Sequence, residues 1–250
     1  MTIVPESLVI IPTYNEIENI EEMIRKVFSL PVYFHLLVVD DNSPDGTAGC
    51  VKKLMSEEFS ERLFLLEREG KQGLGTAYIA GFKWAIEHDY QYVFEMDADF
   101  SHNPDDLVRL YNACSRYDYD MAIGSRYISG ANVVNWPLKR VLLSYYASRY
   151  VSIITGMKIR DATAGFVCYK IEVLKTLELD KIKFRGYAFQ IEMKFLTWLY
   201  DFKIIEIPII FTDRTRGVSK MSKKIIKEAF WGVIQMKLNS LFRTYERKSN

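Results

Sequence analysis

The sequence predicts an α/β fold built on a mixed, mostly parallel sheet flanked by helices, and two observations predict it. Short apolar runs rich in β-branched residues alternate, through the first half of the chain, with stretches whose apolar residues recur at helical spacing. The residues that follow those runs are unusually polar and acidic, and the carboxyl ends of strands are where open α/β sheets bind ligands.

In order, the runs Leu8-Val9-Ile10-Ile11, Leu36-Leu37-Val38-Val39, Leu63-Phe64-Leu65-Leu66, Tyr92-Val93-Phe94-Glu95-Met96 and Met121-Ala122-Ile123 predict strands. Helical spacing of apolar residues predicts helices over 17–28, 47–59, 76–87 and 105–115 between them. The second half reads differently. A long apolar and basic helix over 138–154 is followed by a strand at 165–169, a helix at 189–199 and a strand at 204–211. One or two basic amphipathic helices then occupy about 219–245. This half is expected to cover one end of the sheet. No repeat, low-complexity tract or Pro/Gly linker divides the chain, so residues 1–250 are expected to form a single domain.

Composition bounds the partners. With 250 residues and a formal net charge of +1, the chain can bury a sizeable core and carries no global field for nucleic acid. Cys50, Cys114 and Cys168 are an odd set without CxxC spacing, which argues against a disulfide framework or structural zinc site and for a reducing cytoplasm. The first residues lack the charge and apolar pattern of a signal peptide. No apolar run reaches the roughly 18 to 20 residues that a bilayer span needs, so any membrane contact is expected to be peripheral.

The chemistry is expected at the strand ends. Asp97 and Asp99, two apart after an apolar strand, suit a divalent cation that takes its remaining oxygens from a diphosphate. Asp40 and Asp41 place like charges side by side, which is costly unless a ligand or donor offsets them; Asp41 is the better functional candidate. Ser43, Pro44 and Asp45 are also ordinary turn and cap chemistry. The segment Gly70-Lys71-Gln72-Gly73-Leu74-Gly75-Thr76 reads either as a loop approached closely by a ligand or as a glycine-rich helix entrance. His102 reads as a local hydrogen-bonding or packing residue, and His35 and His88 belong to no motif.

Taken together, Pro12-Thr13-Tyr14-Asn15-Glu16, Val39 through Thr47, Gly73 through Tyr78, Met96 through His102 and Gly124-Ser125-Arg126-Tyr127 resemble the dolichyl-phosphate (polyprenyl-phosphate) mannose synthases of glycosyltransferase family 2. Asp161 through Phe166, Gly186 through Met193 and Asp213-Arg214 through Lys220 extend the resemblance over nearly the whole chain. The earlier motifs are shared by many family 2 enzymes, and the later ones are narrower. The resemblance implies a Rossmann-like GT-A fold forming a single catalytic domain, GDP-mannose as donor, Mg2+ or Mn2+ as cofactor, and a polyprenyl (dolichyl) monophosphate as acceptor. Carried over by position, Pro12, Tyr14, Glu16, Val39 and Asp41 frame the guanosine. Asp97, Ala98 and Asp99 hold ribose, metal and diphosphate, with Arg214 and Lys220 closing over the diphosphate. Arg126, Arg140 and Ser144 bind the lipid phosphate, and attack from the opposite face inverts the anomeric centre. Ser101 stands where some members place a Gln that can ligate the metal.

The resemblance further implies a peripheral protein on the cytoplasmic face of a membrane, held there directly or through a separate subunit. The segment 138–149, basic and apolar together, reads either as an interfacial helix or as a core or dimer helix, and 219–245 either sits on anionic lipid or packs on the catalytic domain. An acceptor phosphate is already ionised at neutral pH, so no side chain need remove a proton from it. Two alternatives stay open: a family 2 enzyme with another donor, such as UDP-glucose or UDP-GlcNAc, or another acceptor, and a non-catalytic subunit that binds a sugar nucleotide.

Overall fold

The computed structural model describes residues 6–213 and 223–247. The five predicted strands of the first half are present, four of them longer than expected: β1 (Ser7–Thr13), β2 (Phe34–Asp40), β3 (Leu63–Glu67), β4 (Tyr92–Glu95, one residue shorter than expected) and β5 (Met121–Ser125). The helices between them are α1 (Ile20–Phe28), α2 (Thr47–Glu57), α3 (Leu74–Glu87) and α4 (Asp106–Ser115). Then follow β6 (Val133–Val134), α5 (Leu138–Thr155), β7 (Val167–Lys170), α6 (Ile171–Thr176), a 3-10 turn at Leu179–Lys181, α7 (Tyr187–Leu199), β8 (Ile204–Pro208), β9 (Phe211–Thr212) and α8 (Lys223–Ser240).

Seven strands form one sheet in the order β3-β2-β1-β4-β7-β5-β8, and β6 pairs with β9 in a second, small one. Within the large sheet every pairing is parallel except those of β7, which runs antiparallel to both β4 and β5. The carboxyl ends of the six parallel strands therefore share one edge. Because β7 runs the other way, the loop that leads into it, 161–166, arrives at that same edge.

Period-two alternation sends successive strand residues to opposite faces. Leu8, Ile10, Leu37 and Val39 pack with Tyr78, Phe82, Val151, Phe189 and Met236, joining α3, α5, α7 and α8 to one face. Val9, Ile11, Leu36 and Val38 pack with Met23, Val51 and Leu107 from α1, α2 and α4 on the other.

Several boundaries differ from expectation. α1 begins three residues late because the Glu16 carbonyl accepts from the N–H groups of Asn19 and Ile20, closing a separate turn first. The strand expected over 204–211 is broken: β8 stops at Pro208, which has no N–H to continue a ladder, and β9 leaves to pair with β6. The segment 219–245 contributes one described helix, α8. α6 and β6 were too short to show a period.

The glycines at the start of α3 answer to packing within the protein. A Cβ on Gly75 would lie 2.7 Å from the Phe189 ring and 3.0 Å from the Phe184 carbonyl, and the Gly75 N–H donates to the Arg185 carbonyl at 2.8 Å. Gly73, at φ 108°, supplies the left-handed turn that brings the loop there. Of the two readings of this segment, the helix entrance explains both glycines.

Candidate active site

The nucleotide-framing candidates sit together on adjacent strands. Pro12 is the register partner of Val39, and the Asp41 N–H donates to the Thr13 carbonyl at 3.0 Å. The loops after β1 and β2 are joined by donors from one to the other: Asn15 N–H to Ser43 Oγ at 3.0 Å, Glu16 N–H to Thr47 Oγ1 at 3.1 Å and Ile17 N–H to Asp45 Oδ2 at 3.1 Å. Asn15 and Asn42 take positive φ, which asparagine tolerates better than most residues. Lys71 lies 4.8 Å from the centre of the Tyr14 ring.

The two neighbouring aspartates have different partners, which offset part of the cost of their adjacency. Buried Asp40 accepts from Thr13 Oγ1 at 2.7 Å and from the N–H and Oγ of Ser43 at 2.8 and 2.6 Å. Asp41 instead faces Arg68, whose Nε lies 2.7 Å from Oδ1. Burial pushes the Asp41 carboxyl up, and the Arg68 guanidinium opposes that rise. Arg68, which also donates to Thr76 Oγ1 at 3.0 Å, is a further candidate for the site that the sequence reading missed. It stands immediately past the end of β3, so inspecting that strand end like the others would have found it.

β4 delivers Asp97, Ala98 and Asp99 to the shared edge, with Ala98 and Asp99 buried and Asp97 partly so. Phe100, at φ 58°, turns the chain, and the Ser101 N–H donates to Asp99 Oδ1 at 3.1 Å. Beneath them lies the fully buried Tyr78, whose hydroxyl is pushed well up by burial, with the Asp97 and Glu95 carboxylates adding to the rise. His102 is buried, stacks on Phe166 at 4.9 Å and accepts at Nδ1 from the Asp97 N–H at 3.4 Å. Burial holds its imidazole down at about 4, so it is a neutral packing residue, as its sequence position predicts.

Among the described residues no group of three or more His, Cys, Asp or Glu side chains could hold a metal ion unaided. The donor set nevertheless fits a hard cation that draws other oxygens from a bound diphosphate: two carboxylates, with the buried Ser101 Oγ lacking a hydrogen-bond partner among the described residues.

The acceptor candidates gather on the other side of the same edge. Arg126, just past β5, donates to Asp161 from its backbone N–H at 2.9 Å, from Nε at 2.7 Å and from Nη2 at 2.6 Å, with Thr163 Oγ1 accepting from Nη2 at 2.8 Å. Arg140, on the first turn of α5, donates to Asp213 Oδ1 at 2.8 Å and lies 4.0 Å from the centre of the Trp136 ring. Arg126 lies 5.6 Å from that same ring, so the two guanidiniums share one aromatic neighbour. Burial pushes the Tyr127 hydroxyl up, while Ser144, Arg126 and Arg140 act on it in the opposite direction. All three acceptor candidates thus act on Tyr127, and the two arginines also meet at Trp136.

Phe211 ties the two sides together. Its ring lies 5.2 Å from His102, 5.3 Å from Trp136 and 5.6 Å from the Arg126 guanidinium. The Thr212 N–H donates to the Ser101 carbonyl at 3.1 Å and the Asp213 N–H to the Val134 carbonyl at 3.1 Å, so β9 threads between the acidic motif and β6. Arg214 and Lys220, expected over the diphosphate, lie outside the described residues.

A mostly parallel sheet whose carboxyl edge joins the linked loops after β1 and β2, a pair of aspartates and a cluster of arginines is the architecture of a GT-A glycosyltransferase. The chain belongs to glycosyl transferase family 2, which it matches over residues 8–177. It is 43% identical over 229 residues to the polyprenol monophosphomannose synthase of Mycolicibacterium smegmatis, covering 92% of this chain and 86% of that one. It is 42% identical over 231 residues to the undecaprenyl-phosphate mannosyltransferase of Micrococcus luteus, covering 90% and 93%. Among solved structures, S. aureus TarS 1-349 in complex with UDP superposes with a TM-score of 0.63 at 19% identity, over 96% of this chain and 66% of that one. The mannosyltransferase PcManGT from Pyrobaculum calidifontis, in complex with GDP-Man and Mn2+, gives 0.56 at 16% identity, over 96% and 75%. At these identities the structural likeness is one of fold.

Proposed function

We propose that this chain, acting as one catalytic domain, transfers mannose from GDP-mannose to a polyprenyl monophosphate with inversion at the anomeric carbon. The observation that carries the reading is the meeting of Arg126 and Arg140 on Trp136, with Phe211 linking them to the loop of the acidic motif. Two arginines, each oriented by a carboxylate, on one side of Phe211 and the Asp97–Asp99 pair on the other suit a reaction between two phosphates, one reacting as nucleophile and one leaving. The names of both curated relatives specify a polyprenyl phosphate acceptor and mannose, which supports the same acceptor and sugar here.

Pro12, Tyr14, Glu16, Val39 and Asp41, with Arg68 behind Asp41, cradle the nucleoside. Asp97 and Asp99 would hold Mg2+ or Mn2+, which when bound offsets the charge on the departing diphosphate. Ala98 keeps the backbone between them small and buried. Arg126, Arg140 and Ser144 orient the acceptor phosphate, which is ionised already and needs no base. Arg214 and Lys220 are assigned to the diphosphate by their position in the family motif.

The long chain of such an acceptor must lie in a membrane. No described helix is long and apolar enough to cross one. α5 and α8 instead pack together and each exposes apolar side chains. They are joined by Tyr150, which stacks on Phe230 at 4.8 Å and donates to its carbonyl at 2.9 Å. Leu138, Leu142, Tyr146 and Ile153 of α5 are exposed, as are Trp231 and Leu238 of α8, with Ile153 74% and Trp231 60% accessible. Arg140 and Ser144 stand on α5 as well. We assign these exposed side chains to the cytoplasmic surface of a membrane, as in an interfacial helix pair. Incubation with radiolabelled GDP-mannose and polyprenyl phosphate in liposomes tests the reading. Label should enter the extractable lipid, and label that stays entirely in water rejects it.

A further inference from the structure

Behind the site the fold buries a carboxyl and an amine, bridged by a glutamine, that the chemistry above does not use. Glu95, the last residue of β4, and Lys194, on α7, are both fully buried, and Gln190 stands between them one helical turn before Lys194. Gln190 Nε2 donates to Glu95 Oε2, and the Tyr169 hydroxyl donates to Oε1 at 3.3 Å. Lys194 Nζ donates to Gln190 Oε1 at 3.1 Å, to the Gln190 carbonyl at 3.3 Å and to the Ala164 carbonyl at 2.6 Å. Burial pushes Glu95 up and Lys194 down, and each group opposes the shift of the other.

The two ends of this chain of bonds belong to the two halves of the site. Glu95 precedes Met96 and Asp97 on the strand that carries the acidic motif. Ala164 lies in the loop whose Asp161 and Thr163 hold Arg126, and its N–H donates to the Asp161 carbonyl at 3.3 Å. The start of that loop is held separately by Glu206, which accepts from the N–H groups of Arg160 and Asp161 at 2.8 and 2.9 Å. Lys194 anchors it further on at the Ala164 carbonyl, two residues before Phe166, whose carbonyl accepts from the Gly124 N–H at 2.8 Å. Stability alone does not account for a buried pair of this kind, because well-packed apolar residues of the same volume often serve as well or better.

We infer that Lys194, acting through Gln190, Glu95 and the Ala164 carbonyl, is a positioning residue that fixes the Arg126 guanidinium relative to the Asp97–Asp99 motif. Its consequence for transfer rests on the reading of Arg126 as an acceptor-phosphate ligand. Misplacement of a reacting group by about 1 Å is enough to slow a reaction on the order of a hundredfold.

The test uses the full chain with Lys194→Met, the double variant Glu95→Gln/Lys194→Met, and Gln190→Leu. Lys194→Met leaves a buried carboxylate without its cation and is expected to lower the thermal midpoint. The double variant removes both charges and is expected to recover it. GDP binding by calorimetry should stay at the wild-type value in the double variant. Its kcat/KM for polyprenyl phosphate should remain about tenfold or more below wild type, as for a lost charge-assisted contact. Gln190→Leu, which cuts the link and keeps both charges, should lower the same quantity in the same direction. Recovery of transfer together with stability in the double variant, or losses that track GDP affinity in the Gln190 variant, would overturn the inference. Arg126→Ala is run in parallel. An unchanged acceptor response in that variant would reject the acceptor reading itself, whatever the Lys194 variants do.

Discussion

Arg126 and Asp161 form a buried pair in which one carboxylate accepts three hydrogen bonds from one residue, two from the guanidinium and one from the backbone N–H. Asp161 is fully buried, and the Arg126 guanidinium holds its carboxyl below the ordinary range against the opposing effect of burial. The pair fixes the direction in which an arginine at the end of β5 faces the site.

Asp161→Asn should therefore act on both stability and acceptor use. It leaves a buried guanidinium without its counter-charge, which typically costs about 3 to 5 kcal/mol. Urea unfolding should show that loss, and acceptor titration should show a raised requirement for polyprenyl phosphate. An unchanged midpoint would contradict the tight pairing described here.

Asp99→Asn keeps the volume and loses the charge assigned to the cation. Turnover should fall on the order of a hundredfold or more while the thermal midpoint moves little. Chelation of divalent ions should abolish wild-type transfer, and added Mg2+ or Mn2+ should restore it. Wild-type turnover by the variant at the same metal concentration would remove the metal assignment.

Arg140→Ala should raise the requirement for lipid phosphate roughly ten- to over a hundredfold and leave GDP-mannose affinity nearly unchanged, because a charge-assisted contact is worth about 1.5 to 3 kcal/mol. Ser144→Ala should do so more mildly, having lost one neutral hydrogen bond. The contrary pattern, donor affinity lost and acceptor response normal, would move the phosphate site elsewhere.

Acid should destabilise the fold through its buried histidines. Burial, with Arg62 nearby, holds His35 down at about 4, and its Nδ1 lies 2.7 Å from the Tyr90 hydroxyl. An unfolded imidazole titrates near about 6.5, so between those values the unfolded chain binds the extra proton. The stabilisation is full above about 6.5 and is lost as the pH falls towards about 4. His35→Gln should flatten the fall in unfolding free energy over that window, leaving the share due to His102. Identical slopes for variant and wild type would contradict it.

How much of this was legible in the sequence depends on how locally each feature is encoded. The core strands and the Asp97–Asp99 turn were legible because four or five apolar residues followed by acidic ones give a signal within one window. The pairing of Pro12 with Val39 follows from two such strands lying side by side. The Glu95–Gln190–Lys194 chain was not legible. A lysine on a helix ordinarily reads as solvated, and only the packing of α7 over β4, some hundred positions away in sequence, buries it. β9 was missed for a related reason: its partner β6 is two residues long and has no period of its own.

The membrane assignment has its own test. Replacing the exposed Leu142 and Ile153 together by Ser should lower partitioning onto anionic liposomes by about tenfold or more, given the apolar area each would bury, without changing the thermal midpoint. Unchanged partitioning would leave the α5 face without that role.

The central claim is tested most directly by mass analysis of the lipid fraction after the purified chain is offered GDP-mannose, UDP-glucose and UDP-GlcNAc together with polyprenyl phosphates. The expected result is one new lipid, heavier than the acceptor by a single hexose, which forms with GDP-mannose alone and fails to form with the UDP-sugars alone. A glycosylated lipid formed from a UDP-sugar, or no glycosylated lipid with any donor, would contradict it.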